Sequence, residues 1–132
     1  MRKVAQLALV LSLTFPGAAA SASGGGGAEA LHLIPMDEVS VPIIDGDRTD
    51  GTLQFKLVLE AKNEAAAHQV SATLPMLRAA SLSTGIEFAR LYASPMMPVD
   101  ARRLASDMDA ALRAQDNGIA RVLLVEVVAS RA

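Results

Sequence analysis

The sequence predicts a small two-layer α+β domain, with about three strands in one sheet and three helices between the second and the last strand. Three observations carry that expectation. Residues 52–60 alternate apolar and polar side chains, the two-residue period of a strand packed on one side. Apolar residues then recur at three- and four-residue spacing through residues 66–77 and 104–112, the period of helices with one buried stripe. A β-branched run at residues 119–128 follows, and strands that enclose helices in this way need a common sheet.

In chain order, residues 31–44 are mostly β-like. Val39, Val41 and Ile43 alternate with Ser40 and Pro42, and Pro42, which has no N–H for a ladder, marks an edge strand or a bulge. Residues 45–51 (DGDRTDG) are dense in turn formers and predict a hairpin connection. The three aspartates do not form a calcium loop of the EF-hand kind, because Asp50 and Lys56 stand where glycine and the bidentate glutamate belong. The strand at 52–60 turns Leu53, Phe55, Leu57 and Leu59 inward, so truncating Leu57 is expected to open a cavity.

Asn63 is placed to cap a first helix whose inward stripe is Ala66, Val70, Leu74 and Leu77. Pro75 costs about 3 kcal/mol inside a straight helix, which predicts a kink or a restart there. Thr84 and Glu87 have the spacing of a capping box and predict a short helix over residues 86–92. Asp100 is placed to cap a third helix, residues 101–115, with Leu104, Met108, Ala111 and Leu112 buried and an Arg103–Asp107 pair on its surface. Asn117-Gly118 predicts a left-handed helix end. The closing strand is expected to place Arg121, Leu123, Val125 and Val127 on one face, with Leu123 in the core; its direction is open.

Ahead of this domain the chain reads differently. Arg2 and Lys3 precede an uncharged run at residues 4–15, and Pro16-Gly17-Ala18-Ala19-Ala20-Ser21-Ala22 follows. A basic start, a short apolar stretch and small residues at A-x-A spacing form the pattern of a secretory signal peptide over residues 1–22. The alternative is a short uncleaved membrane anchor, since no charge falls between residues 4 and 28. Residues 23–30, with four consecutive glycines, read as a flexible linker, and residues 31–132 as the working domain. The domain is therefore expected in the periplasm, or anchored in the inner membrane and facing it.

Composition narrows the chemistry. The chain holds 12 basic and 14 acidic residues, and losing Arg2 and Lys3 makes it more acidic still, which gives no electrostatic reason to bind nucleic acid. There is no cysteine, so disulfides, thiolate nucleophiles, Cys-ligated zinc and lipoprotein acylation are all excluded. His32 and His68 have no second ligand at metal spacing. No serine sits in a nucleophile-elbow context, and no glycine loop is set between a strand and a helix to cradle phosphate. The expectation is a protein without catalytic residues, cofactor or metal. Met96-Met97, between Pro95 and Pro98, is expected to fill a gap where helices cross.

The arrangement resembles the flagellar basal-body-associated FliL family. The likeness rests on a membrane-directed N-terminal segment with a Gly-rich linker, the strand GTLQFKLVLEAKNEAAAHQV, and LPMLRAASL, where Leu74, Pro75, Leu77 and Arg78 match the family's helical P-x-hydrophobic-R. It continues through VDARRLASDMDAAL and GIARVLLVEVV and covers roughly residues 31–129. The resemblance implies a stomatin-like (SPFH) periplasmic domain and a homo-oligomer that associates with stator or basal-body proteins. It makes Leu74, Pro75, Leu77 and Arg78 the candidate interface; for Arg78, solvent, an ion-pair partner and another subunit all stay open, since periodicity does not choose among them. A soluble periplasmic binding or inhibitor module, meeting its ligand through residues 45–51, is the reading that remains if the N-terminal segment is lost.

Overall fold

The structure, a computed structural model, describes residues 31–132, so the expected signal peptide and linker lie outside the described residues. The elements run β1 (His32–Pro35), β2 (Val39–Asp45), β3 (Arg48–Ala61), α1 (Glu64–Ala72), α2 (Leu74–Tyr92), α3 (Ala101–Gln115) and β4 (Ile119–Arg131). This is an α+β domain: a four-stranded antiparallel sheet with three helices between β3 and β4.

The long strand β3 organises the sheet. Along one edge it pairs with β2 through its first half and with β1 through its second half, so β1 and β2 lie end to end. The interruption at Met36, Asp37 and Glu38 is bridged by Met36 N–H donating to the carbonyl of Leu57 at 3.0 Å. The β-like stretch at residues 31–44 is thus two collinear strands. The other edge of β3 is taken by β4, antiparallel, over nearly its whole length.

The β2–β3 hairpin turns at Gly46, whose φ of 64° lies in the left-handed region that other residues enter only with strain. At the far end of β3, Asn63 caps α1 by accepting the N–H of Ala66 at 2.8 Å. Pro75 acts as expected: α1 ends at Ala72, and α2 restarts with the proline in its first turn, where a missing N–H costs nothing.

From there α2 runs unbroken to Tyr92, so no separate helix begins at residue 86. The Thr84–Glu87 spacing goes unused because Gly85, Phe88 and Ala89 hold that part of α2 in the core. Asp100 caps α3 by accepting the N–H of Arg103 at 3.0 Å. That helix does not end in a left-handed residue. Asp116 is extended, and its carboxylate accepts the N–H of Gly118, which closes the turn instead.

The closing strand corrects the expected face. Ladder irregularities leave Ala120 and Val125 without direct partners, and each extra residue reverses the alternation after it. Val122 is buried, and Leu124, Val127 and Ala129 pack against the core. Arg121 and Leu123 lie on the opposite face. The strand also continues past residue 128, with Gly51 opposite Arg131.

All three helices cover one face of the sheet, α2 over β2 and α3 over β4. The core between the layers is built from Val39, Val41, Leu53, Phe55, Leu57 and Leu59 below, and Val70, Leu77, Phe88, Leu104, Met108 and Leu112 above. Asp109 fastens the β4 edge to α3 by accepting the N–H of Val122 at 2.9 Å, which occupies an outward edge group that would otherwise stay unpaired. Among the described residues, no helix packs on the second sheet face. Among the described residues, no helix is long and apolar enough to cross a membrane.

Candidate functional site

The four interface candidates gather at the start of α2, but they divide by burial. Leu77 is fully buried in the core, because it faces the sheet one turn after the restart at Pro75. It holds the helix down and is not available to a partner. Leu74 is half-buried, while Pro75 and Arg78 are exposed.

Arg78 crosses from α2 to the strand edge. Its Nη1 donates to the carbonyl of Asp37 at 3.2 Å and its Nη2 to the carbonyl of Glu38 at 3.3 Å. These carbonyls are exposed by the break between β1 and β2, so the planar guanidinium fork replaces ladder partners that the break removed. Both contacts are made within one chain.

Around this clamp the surface is grooved. A pocket of about 360 Å³ is lined by Pro35, Met36, Asp37, Leu74, Pro75 and Arg78. A second, of about 300 Å³, shares Pro75 and Arg78 and extends to Val39, Ser40, Ala79 and Leu82. A third continues along the same edge at Pro42, Ile44, Ile86 and Arg90. Pro75, Ala79, Leu82 and Ile86 recur at helical spacing, so one stripe of α2 forms the wall of the whole groove. Leu82 and Ile86 are nearly half-exposed along it. At its far end the Arg90 guanidinium donates to Glu87 at 2.7 Å, and that hydrogen bond and the carboxylate's charge raise the arginine's pKa.

A wider cleft of about 500 Å³ lies between α2 and α3, lined by Glu87, Leu91, Tyr92, Arg103 and Asp107 among others. Arg103 stacks 3.9 Å from the Tyr92 ring centroid and donates to its hydroxyl at 2.7 Å. The expected Arg103–Asp107 pair is not formed, since the aromatic face draws the guanidinium away. Met96 and Met97 do not fill a helix crossing either. Both are about two-thirds exposed, and the Met96 sulfur receives the Arg131 guanidinium, with Nε 3.1 Å away.

The remaining chemical candidates stay apart. His68 is exposed on α1 and His32 is half-buried in β1. Among the described residues, no three His, Asp or Glu side chains converge as metal ligands would. Ser81 is buried and donates to the carbonyl of Leu77 at 2.8 Å within its own helix, an arrangement without a neighbouring base.

Sequence reasoning missed the Asp37–Glu38 carbonyls, because a backbone acceptor has no residue signature. The polar pair Asp37-Glu38 inside an apolar strand was the available sign that β1 and β2 part there. No protein-family model matches the chain, and no curated protein matches it.

Proposed function

We propose that this chain acts outside the cytoplasm through contacts with other proteins, as a FliL-like component associated with the flagellar basal body and its stator. The observation that carries the reading is the position of Leu74, Pro75, Leu77 and Arg78. The proline restarts α2, the leucines seat it, and the arginine clamps it to the sheet edge beside an apolar groove. The order of strands, helices and closing strand in one domain supports it further. In this reading the groove along α2 meets a partner, and no residue has a catalytic or cofactor-holding role.

Deleting the coding region in a flagellated host and measuring swimming speed under viscous load tests the motor role. A loss of speed at high load is the expected result, and unaltered motility overturns it. Fractionation decides the location. Co-sedimentation with the inner membrane fits the anchored, motor-associated form, whereas release of a form starting near Ser23 fits a soluble periplasmic module.

A further inference from the structure

The chain holds six methionines and no cysteine, so thioether sulfur is its most readily oxidised group. Met76, Met96 and Met97 are 60%, 65% and 68% exposed, while Met108 is buried. Exposure does not separate the first three, but their neighbours do. The sulfur of Met96 receives two donors of one guanidinium, Arg131 Nε at 3.1 Å and Nη2 of the same group. Among the described residues, no other methionine sulfur accepts a hydrogen bond. The backbone builds this contact. Gly51 stands opposite Arg131 in the β3–β4 ladder. Having no side chain, it lets Pro95 lie over it: a Cβ on Gly51 would stand 3.2 Å from the Cβ of Pro95. Met96 comes next, with its N–H fixed by Ser94 Oγ at 3.1 Å, and so reaches the end of β4.

Donor and acceptor are mismatched in strength. A thioether is a weak acceptor, whereas a guanidinium is a charged planar fork that binds oxygen strongly. A sulfoxide oxygen, the negative end of a polar S–O bond, would satisfy that fork through charge-assisted hydrogen bonds. We propose that Met96 is an oxidation site that takes oxygen after attack by hypochlorous acid, and that Arg131 holds the sulfoxide and locks the α2–α3 connection onto β4. The sulfur lone pair takes chlorine from hypochlorous acid and releases hydroxide. Water then attacks sulfur, an S–O bond forms, and chloride leaves with the S–Cl bonding pair. Two protons depart, one of them neutralising the hydroxide. Sulfur loses two electrons and chlorine gains two.

The surroundings admit both oxidant and product. A pocket of about 450 Å³ opens beside the sulfur, lined by Arg48, Thr49, Asp50, Pro95, Met96 and Arg131 among others. Among the described residues, neither Arg48 nor Arg131 is in an ion pair. Two guanidiniums against the one carboxylate of Asp50 favour the approach of hypochlorite, the anion in equilibrium with the acid. Seating an oxygen between sulfur and the fork requires the sulfur to withdraw by about 1 Å. The rotatable bonds of an exposed methionine allow that movement. Oxidation of a buried methionine disrupts packing. At Met96 there is little packing to lose and a stronger acceptor to gain, so the modification tightens residues 93–100 against the sheet. The inference goes beyond the flagellar reading and stands without it.

The test treats the protein expressed from its full coding sequence with hypochlorous acid in slight excess and maps the sulfoxides by mass spectrometry of its peptides. Solvent exchange of the Arg131 Nε–H and of the Met97 amide, which donates to the carbonyl of Ser94 at 3.4 Å, is then read by NMR. Met96 sulfoxide is expected to slow both protons about tenfold, and methionine sulfoxide reductase is expected to reverse the change. Met76→Leu/Met97→Leu, which keeps Met96, should respond as the wild type does, except that residue 97 is then leucine. Met96→Leu should show no slowing on oxidation. Arg131→Ala should still form the sulfoxide at Met96 yet leave the Met97 amide exchanging as before. Met96 left unoxidised while Met76 and Met97 carry sulfoxide overturns the inference. So does a Met96 sulfoxide that slows neither proton, or a slowing that persists in Met96→Leu or Arg131→Ala.

Discussion

The hydroxyl of Thr73 donates to Asp116 Oδ2 at 2.7 Å, joining residues 43 apart in sequence. Thr73 is the joint between α1 and α2, and Asp116 ends α3. The other oxygen of the same carboxylate accepts from Gln69 Nε2 at 2.9 Å and from the N–H of Gly118 at 2.8 Å. One side chain, only 4% exposed, thus fixes the helix break, the last turn of α1 and the entry to β4. All three donors are neutral, so the carboxylate is held by hydrogen bonds alone.

Replacing Asp116 with Ala strands three donors at once, and is expected to cost about 3 kcal/mol in urea unfolding. Asp116→Asn keeps one acceptor oxygen and is expected to cost about 1 kcal/mol. A double-mutant cycle with Thr73→Ala should return a coupling of about 1 kcal/mol. Strict additivity of the two substitutions would mean that Thr73 is satisfied by the carbonyl of Val70, 3.1 Å from its hydroxyl.

Gly85→Ala sets two effects against each other. Alanine is favoured over glycine in a helix by about 1 kcal/mol. A Cβ at this site, however, would lie 2.9 Å from two ring atoms of Phe55, which is itself buried. Overpacking of a rigid ring costs about 1–3 kcal/mol, so a net loss of about 1 kcal/mol is expected. Combining Gly85→Ala with Phe55→Leu should recover part of it, and a stabilised Gly85→Ala single variant would show that α2 can lift from the sheet.

Leu57 and Leu123 look equivalent in sequence and differ in place. Leu57 is 1% exposed on the helix-covered face, so Leu57→Ala is expected to cost about 2–5 kcal/mol. Leu123 is half-buried on the open face, and Leu123→Ala should cost no more than about 1 kcal/mol in the monomer. Chemical denaturation at low concentration separates them, and equal losses would require a covered outer face.

The contrast shows where sequence patterning stops. Strict alternation in β3 placed Leu53, Phe55, Leu57 and Leu59 inward because no extra residue interrupts that run. In β4 the unpaired Ala120 and Val125 reverse the phase, and a bulge leaves no mark in a run of β-branched residues. The restart at Pro75 and the caps at Asn63 and Asp100 were readable, since each follows from a local valence: a missing N–H or a side-chain acceptor. Gly85, Asp116 and Arg78 were not, because their roles depend on Phe55, Thr73 and the Asp37–Glu38 carbonyls, which only tertiary folding brings near.

Arg78 offers the most direct test of the clamp beside the groove. Its two hydrogen bonds are exposed and longer than 3 Å, so water competes for both partners and the net contribution to stability is small. Arg78→Ala is therefore expected to lower global stability by no more than about 1 kcal/mol. Its local effect should be larger. Without the fork, nothing on α2 holds the Asp37 and Glu38 carbonyls, and the β1 pairing covers only four residues. Amide exchange at Ile34 and Met36 should then quicken while exchange at Leu53 and Phe55 stays unchanged, because β2 and β4 hold that part of β3. Arg78→Lys should fail to restore protection, since one ammonium cannot reach two carbonyls as a planar fork does. Equal protection in all three proteins would show that β1 is held by its ladder with β3 alone.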